Sequence, residues 1–186
     1  MILNTWFDKG LDPEVYTEDL DHHKNGFEHI YNQFQVPNDD VFFTSIANQN
    51  LRAIIIAEVW CGHCMLNIPI FLKIAKQTGM GVKFLPRDEN LELMDQYLTN
   101  GNRTIPIFIF IDESGNEVAK WGPMASNTRR FVDHYKKDLP AKDAPDYDEK
   151  FKAFISVTSK AFETDTSIWN GVYESIKQTL LSIPKK

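Results

Sequence analysis

The segment Ala53-Ile54-Ile55-Ile56-Ala57 has no polar side chain to turn toward water on either face. A strand of that composition is buried on both sides and needs helices to cover it. The following sequence supplies them. Gly62 to Gln77 has helical periodicity and stops at Thr78-Gly79-Met80-Gly81, which leads into a second strand, Val82 to Pro86. Asp88 or Asn90 then starts a helix carrying Leu91, Leu93, Met94, Tyr97 and Leu98, ending near Asn100-Gly101. Two more runs, Ile107 to Asp112 and Glu117 to Trp121, flank Glu113-Ser114-Gly115-Asn116 and read as an antiparallel hairpin. A helix from about Asn127 to Leu139 completes the order β-α-β-α-β-β-α. The fold class is α/β, a central mixed sheet flanked by helices.

Helical sequence lies on either side of this unit. Asp12-Pro13-Glu14 reads as a helix start, followed by Val15, Tyr16 and Leu20 before Asn25-Gly26 interrupts. A second helix spans Phe27 to Phe34, and Asn38-Asp39-Asp40 caps a third with Val41, Phe42, Ile46 and Ala47. After the linker Ala141-Lys142-Asp143-Ala144-Pro145 come two stripes in helical register. One holds Tyr147, Phe151, Phe154, Ile155 and Phe162, the other Ile168, Trp169, Val172, Tyr173, Ile176 and Leu180. The expected division is an N-terminal helical segment packed on the core (1–50), the α/β core (51–140) and a C-terminal helical extension (141–186). At 186 residues and 42% hydrophobic, one core with additions is the simplest arrangement. The C-terminal stripes either pack on that core, form a dimer interface, or wall the functional site; monomer and homodimer both remain open.

Both cysteines of the chain lie in Trp60-Cys61-Gly62-His63-Cys64, between the first strand and the helix that follows it. A thiolate is favoured at a helix N-terminus, where free N–H groups and the positive end of the dipole meet it, so Cys61 is expected to have a lowered pKa. Cys61 is the candidate nucleophile and Cys64, one turn later, the candidate resolving thiol. His63 adds a group that is cationic near neutral pH, expected to stabilise the Cys61 thiolate and raise the reduction potential. Trp60 covers one side. The rival reading of a Cys-x-x-Cys pair is half of a zinc site, but four ligands are usual and there is no second cysteine pair. His22, His23, His29 or His134 would complete it only in unusual geometry; His22 and His23 are expected on a solvated helix face. Neither a metal nor a cofactor is called for.

The motif resembles the active site of thioredoxin-fold proteins, and Cys-Gly-His-Cys looks like the form found in protein disulfide isomerases. Pro69, eight residues after Cys61, matches a proline that kinks the active-site helix in that family. Pro106 in Thr104-Ile105-Pro106 looks like its cis-proline, which implies that the Ile105 backbone faces the cysteines and pairs with an extended substrate. The family's buried acid, six residues before the first cysteine, is replaced by Ile55. Glu58 is the nearest carboxylate in sequence and is similar to an acid just ahead of Trp-Cys-Gly in a group of bacterial thioredoxin-like proteins. It either replaces the proton carrier or simply caps the strand end. The resemblance covers roughly Leu51 to Leu139 and implies a thiol-disulfide oxidoreductase. A thiol peroxidase and a non-catalytic peptide-binding scaffold are the alternatives, the first lacking a threonine or arginine arrangement near Cys61 in sequence.

A net charge of −6 with no basic run argues against nucleic acid. There is no 18-residue apolar stretch to span a membrane, and Met1 to Asp8 lacks the basic and apolar regions of a secretory signal. A complete chain of this kind is expected in the cytoplasm. Isomerase-type pairs lie near about −180 mV and cytosolic glutathione at about −220 to −320 mV, so such a pair is held reduced there and acts as a reductant. Its partners are then a protein or small-molecule disulfide and a reductase that recycles it.

Overall fold

Four strands form one mixed sheet in the order β2-β1-β3-β4: β1 (Arg52–Ala57), β2 (Gly81–Pro86), β3 (Ile107–Ile111) and β4 (Glu117–Trp121). The computed structural model describes residues 2–184; Met1, Lys185 and Lys186, the outermost residues of the expected terminal segments, lie outside the described residues. β1 pairs parallel with β2 and antiparallel with β3, so Ile55 stands opposite Phe84 on one side and Phe108 on the other. That central place is why β1 has no polar face. All its residues after Arg52 are buried, as is the whole of β3. The edge strand β4 is less buried and turns Glu117 and Lys120 to solvent.

Nine helices are described: α1 (Asn4–Lys9), α2 (Pro13–Glu18), α3 (Lys24–Gln33), α4 (Asp40–Ala47), α5 (Gly62–Thr78), α6 (Leu91–Met94), α7 (Ser126–Lys136), α8 (Tyr147–Thr164) and α9 (Thr166–Leu181). α5 is buried nearly all round, because the sheet covers one side and α3, α4 and α9 pack on the others. Phe71 of α5 meets Phe108 and Phe110 of β3 at ring distances of 5.0 and 5.8 Å. The helix passes through Pro69 and ends at Gly79, whose φ of 66° is the left-handed conformation that glycine adopts without a Cβ penalty. A single apolar cluster runs from Leu3 to Ile183, so the flanking helices and the α/β unit share one core. Each fully buried Ile, Leu or Phe in it contributes about 1.5–3 kcal/mol relative to exposure.

Several elements differ from the sequence expectation. α1 had no expected counterpart; Asn4 accepts from Arg52 at 2.7 Å and holds it to the start of β1. Asn25-Gly26 does not interrupt a helix. α3 runs through it, and Gly26 is small because a Cβ there would meet Met65 Sδ at 2.5 Å. The break falls earlier, after Glu18. α6 is one turn long, and Tyr97 lies beyond it, donating to Glu117 at 2.6 Å. The two C-terminal stripes also part company: α9 buries all six of its residues, whereas α8 buries Phe162 and leaves Phe151 and Ile155 exposed. No helix among the described residues is long and apolar enough to cross a membrane.

Candidate active site

Cys61 follows a tight turn at the end of β1, its N–H donating to the Glu58 carbonyl at 3.2 Å. Its backbone is extended (φ −90°, ψ 116°), which makes it the residue capping α5, and its sulfur accepts the Cys64 N–H at 3.4 Å. A sulfur therefore stands where a capping oxygen usually would. Both cysteines are free thiols; Cys61 is 8% exposed and Cys64 1%. The hydrogen bond from the Cys64 thiol, then the amides of Cys64 and His63 and the charge of Arg87, hold Cys61 below the ordinary thiol range against the effect of burial. Cys64 moves the other way, pushed well up by burial first and then by its bond to Cys61 and the negative charge of Cys61. Cys61 ionises first and Cys64 keeps its proton.

The Ile105 carbonyl lies 3.8 Å from the Cys61 sulfur, and the Ile105–Pro106 peptide is cis. Thr104 sits partly buried just before it. A second cis peptide, Gly122–Pro123, abuts this loop: Gly122 has φ 125°, and a Cβ on it would run into the Pro106 carbonyl oxygen. Buried Asn67 joins the two sides of the site, donating to the His63 carbonyl at 2.7 Å and reaching that of Pro123 at 3.5 Å.

His63 does not supply the expected cation. Burial, and then the nearby charge of Arg129, push its imidazole down to about 4, so it is neutral at pH 7. Its ring lies 5.2 Å from that of Phe162 at the end of α8, and its buried Nδ1 has no hydrogen-bond partner among the described residues. The positive charge that bears on Cys61 belongs to Arg87, which follows β2. Arg87 grips Asp88 through two bonds of 2.9 and 3.1 Å and lies 4.9 Å over the ring of half-exposed Trp60. Glu58 accepts from the Asp88 N–H at 2.9 Å, so its carboxylate joins the ends of β1 and β2; it also bears on the Cys64 thiol, raising its pKa.

Three residues near the motif were missed by the sequence reading. Arg87 had a signal available, since ligands of open α/β sheets gather at the carboxyl ends of the strands. His23 is not on a solvated face: it is half-buried, its Nε2 is 3.1 Å from the Trp60 carbonyl, and its ring lies beside Gly62. Tyr16, taken as one member of an apolar stripe, buries its ring and brings its hydroxyl to 3.2 Å from the Glu58 carbonyl. No local pattern distinguishes such a tyrosine from a packing residue.

A family model described as Thioredoxin matches residues 10–136. No curated protein matches the sequence. Among solved structures, the crystal structure of an HIV epitope-scaffold is similar with a TM-score of 0.65 at 13% identity, covering 99% of this chain and 100% of that one. A protein of unknown function from Pseudomonas aeruginosa is similar with a TM-score of 0.58 at 15% identity, covering 92% and 95%. At these identities the likeness concerns the fold.

Proposed function

Because this chain belongs to the thioredoxin family, we propose that it is a thiol-disulfide oxidoreductase, with Cys61 as nucleophile and Cys64 as resolving thiol. The observation that carries the proposal is the placement of the two sulfurs: Cys61 caps α5 and accepts the Cys64 N–H at 3.4 Å, while Cys64 lies buried one turn deeper, which holds the first thiol low and the second high. The Cys61 thiolate attacks one sulfur of a substrate disulfide; the other leaves with the electron pair and takes up a proton. Cys64 then attacks Cys61, forming the Cys61–Cys64 disulfide and freeing the second substrate thiol. The low pKa lets the attacking group exist as an anion, and the buried thiol waits as a proton-bearing reserve.

The Ile105 carbonyl beside Cys61 supports a docking role for Thr104, Ile105 and Pro106, where an extended substrate segment pairs as an added strand. Half-exposed Trp60 and partly buried Gly62 form the rim that such a substrate meets. We place the protein in the cytoplasm as a reductant, recycled by a separate reductase. A neutral His63 removes the reason for an isomerase-like potential, so the pair is expected nearer the thioredoxin value of about −270 mV than about −180 mV.

Reduction of insulin by dithiothreitol tests the assignment. Wild-type protein is expected to accelerate precipitation of the reduced chains, and Cys61→Ser and Cys64→Ser to lose that acceleration. Equal rates for all three would leave a peptide-holding scaffold as the better description.

A further inference from the structure

Two pieces of chain flank Cys61: Trp60 just before it in sequence, and the loop ending at Ile105, whose carbonyl lies 3.8 Å from its sulfur. The loop is braced within itself. Thr99 and Asn102 exchange backbone bonds of 2.9 and 3.0 Å, and the Thr104 N–H donates to the Asn102 carbonyl at 2.9 Å. Arg103 forks onto Asp95 through bonds of 2.6 and 3.0 Å. A loop that holds its own shape is placed by what ties it to the strand ends, and Arg87 makes such a tie. The Arg87 N–H donates to the Ala57 carbonyl at 3.2 Å, which seats it at the carboxyl ends of β1 and β2. From there its guanidinium serves three partners. Nη1 donates to the Arg103 carbonyl at 3.3 Å, directly before Thr104; Cζ lies 4.9 Å over the Trp60 ring; Nε and Nη2 grip Asp88 at 2.9 and 3.1 Å. Asp88 is fixed in turn, its N–H donating to the Glu58 carboxylate at 2.9 Å. A planar guanidinium can stack on a ring while its edge donates to a carboxylate and a carbonyl; a lysine ammonium has no plane to stack and no fork.

We propose that Arg87 is a positioning residue for substrate docking: by joining the Trp60 ring to the Arg103 carbonyl, it sets the gap across which an extended substrate segment reaches Cys61. The inference rests on the oxidoreductase reading above, with Thr104, Ile105 and Pro106 as the docking loop. In this role Arg87 acts through the two pieces of chain it joins and not on the sulfurs. The substrate class follows from that division. A disulfide flanked by extended main chain uses both Trp60 and the loop, and so depends on the gap between them. A small disulfide without peptide on either side reaches the Cys61 sulfur without using either, and is indifferent to it.

The test is a single turnover of the reduced protein against insulin, whose disulfides are flanked by peptide, and against 5,5′-dithiobis(2-nitrobenzoate), which carries none. Arg87→Lys keeps the positive charge that bears on Cys61 and gives up the stacking plane and the fork. With insulin its half-saturating concentration is expected to rise about tenfold, the scale of one hydrogen bond to a charged group, while the limiting rate stays within about twofold of wild type. Its rate with the small disulfide and the pH midpoint of Cys61 are expected to match wild type. Unchanged half-saturation with insulin overturns the proposal, as does equal slowing against both disulfides, the mark of an altered thiol. Should Arg87→Lys fail to fold, Asp88→Asn loosens the guanidinium from an exposed position and is expected to give the same split at about threefold, the scale of an exposed ion pair. No split in that variant overturns the proposal. A wild-type protein no faster with insulin than Cys61→Ser overturns the oxidoreductase reading instead.

Discussion

His63 shows how neighbouring residues in sequence and neighbouring groups in space can give opposite electrostatics. Between two cysteines it reads as a cation; under Phe162 and near Arg129 it is a neutral ring whose pKa falls to about 4. The unfolded imidazole titrates near about 6.5. Between those values the unfolded chain binds a proton that the folded chain refuses, so stability falls as pH drops from about 6.5 to about 4, by roughly 2–3 kcal/mol from this group. Urea unfolding of wild type and His63→Gln at pH 7 and pH 4.5 checks this: the variant is expected to lose less stability on acidification, and parallel losses would refute the assignment. The placement of the two cysteines side by side at the start of α5 was legible, because spacing and the strand-helix junction are local properties. Burial of His63 was not, since Phe162 and Arg129 approach it from distant parts of the chain.

The two C-terminal helices carry equally regular apolar stripes, yet they meet different surroundings. α9 lies against α5 and α7, with Lys177 bonded to Asp39 at 2.6 Å and Trp169 donating to the Phe162 carbonyl at 2.7 Å. Trp169→Ala is expected to cost about 3–5 kcal/mol, and Ile155→Ala on the exposed side of α8 no more than about 0.5 kcal/mol. Denaturant midpoints at constant slope measure both, and similar costs at the two positions would contradict the packing described. Periodicity identifies an apolar face without saying what covers it. The strands were easier: β3 throughout and β1 after Arg52 have apolar residues at every position, a pattern that permits only the middle of a sheet. Gly26 misled for the converse reason, being a site of close helix approach rather than a stop.

At the scale of the whole molecule, the order β-α-β-α-β-β-α was readable from alternating apolar runs and turn signals, while the wrapping of the flanking helices was not. Leu3 and Ile183 belong to the same apolar cluster as the central strands. Removing the residues after Leu139 is therefore expected to abolish cooperative unfolding, since α5 would lose the cover of α9; near-ultraviolet circular dichroism of the truncated chain reports it, and a native-like spectrum with a sharp transition would refute it. Because Phe162 lies 5.2 Å from the His63 ring and α9 packs on α5, part of the cover over the helix that follows Cys61 is built last during synthesis. A ribosome delivers both sulfurs long before it delivers these helices, and in that interval α5 lacks the cover that α8 and α9 give it.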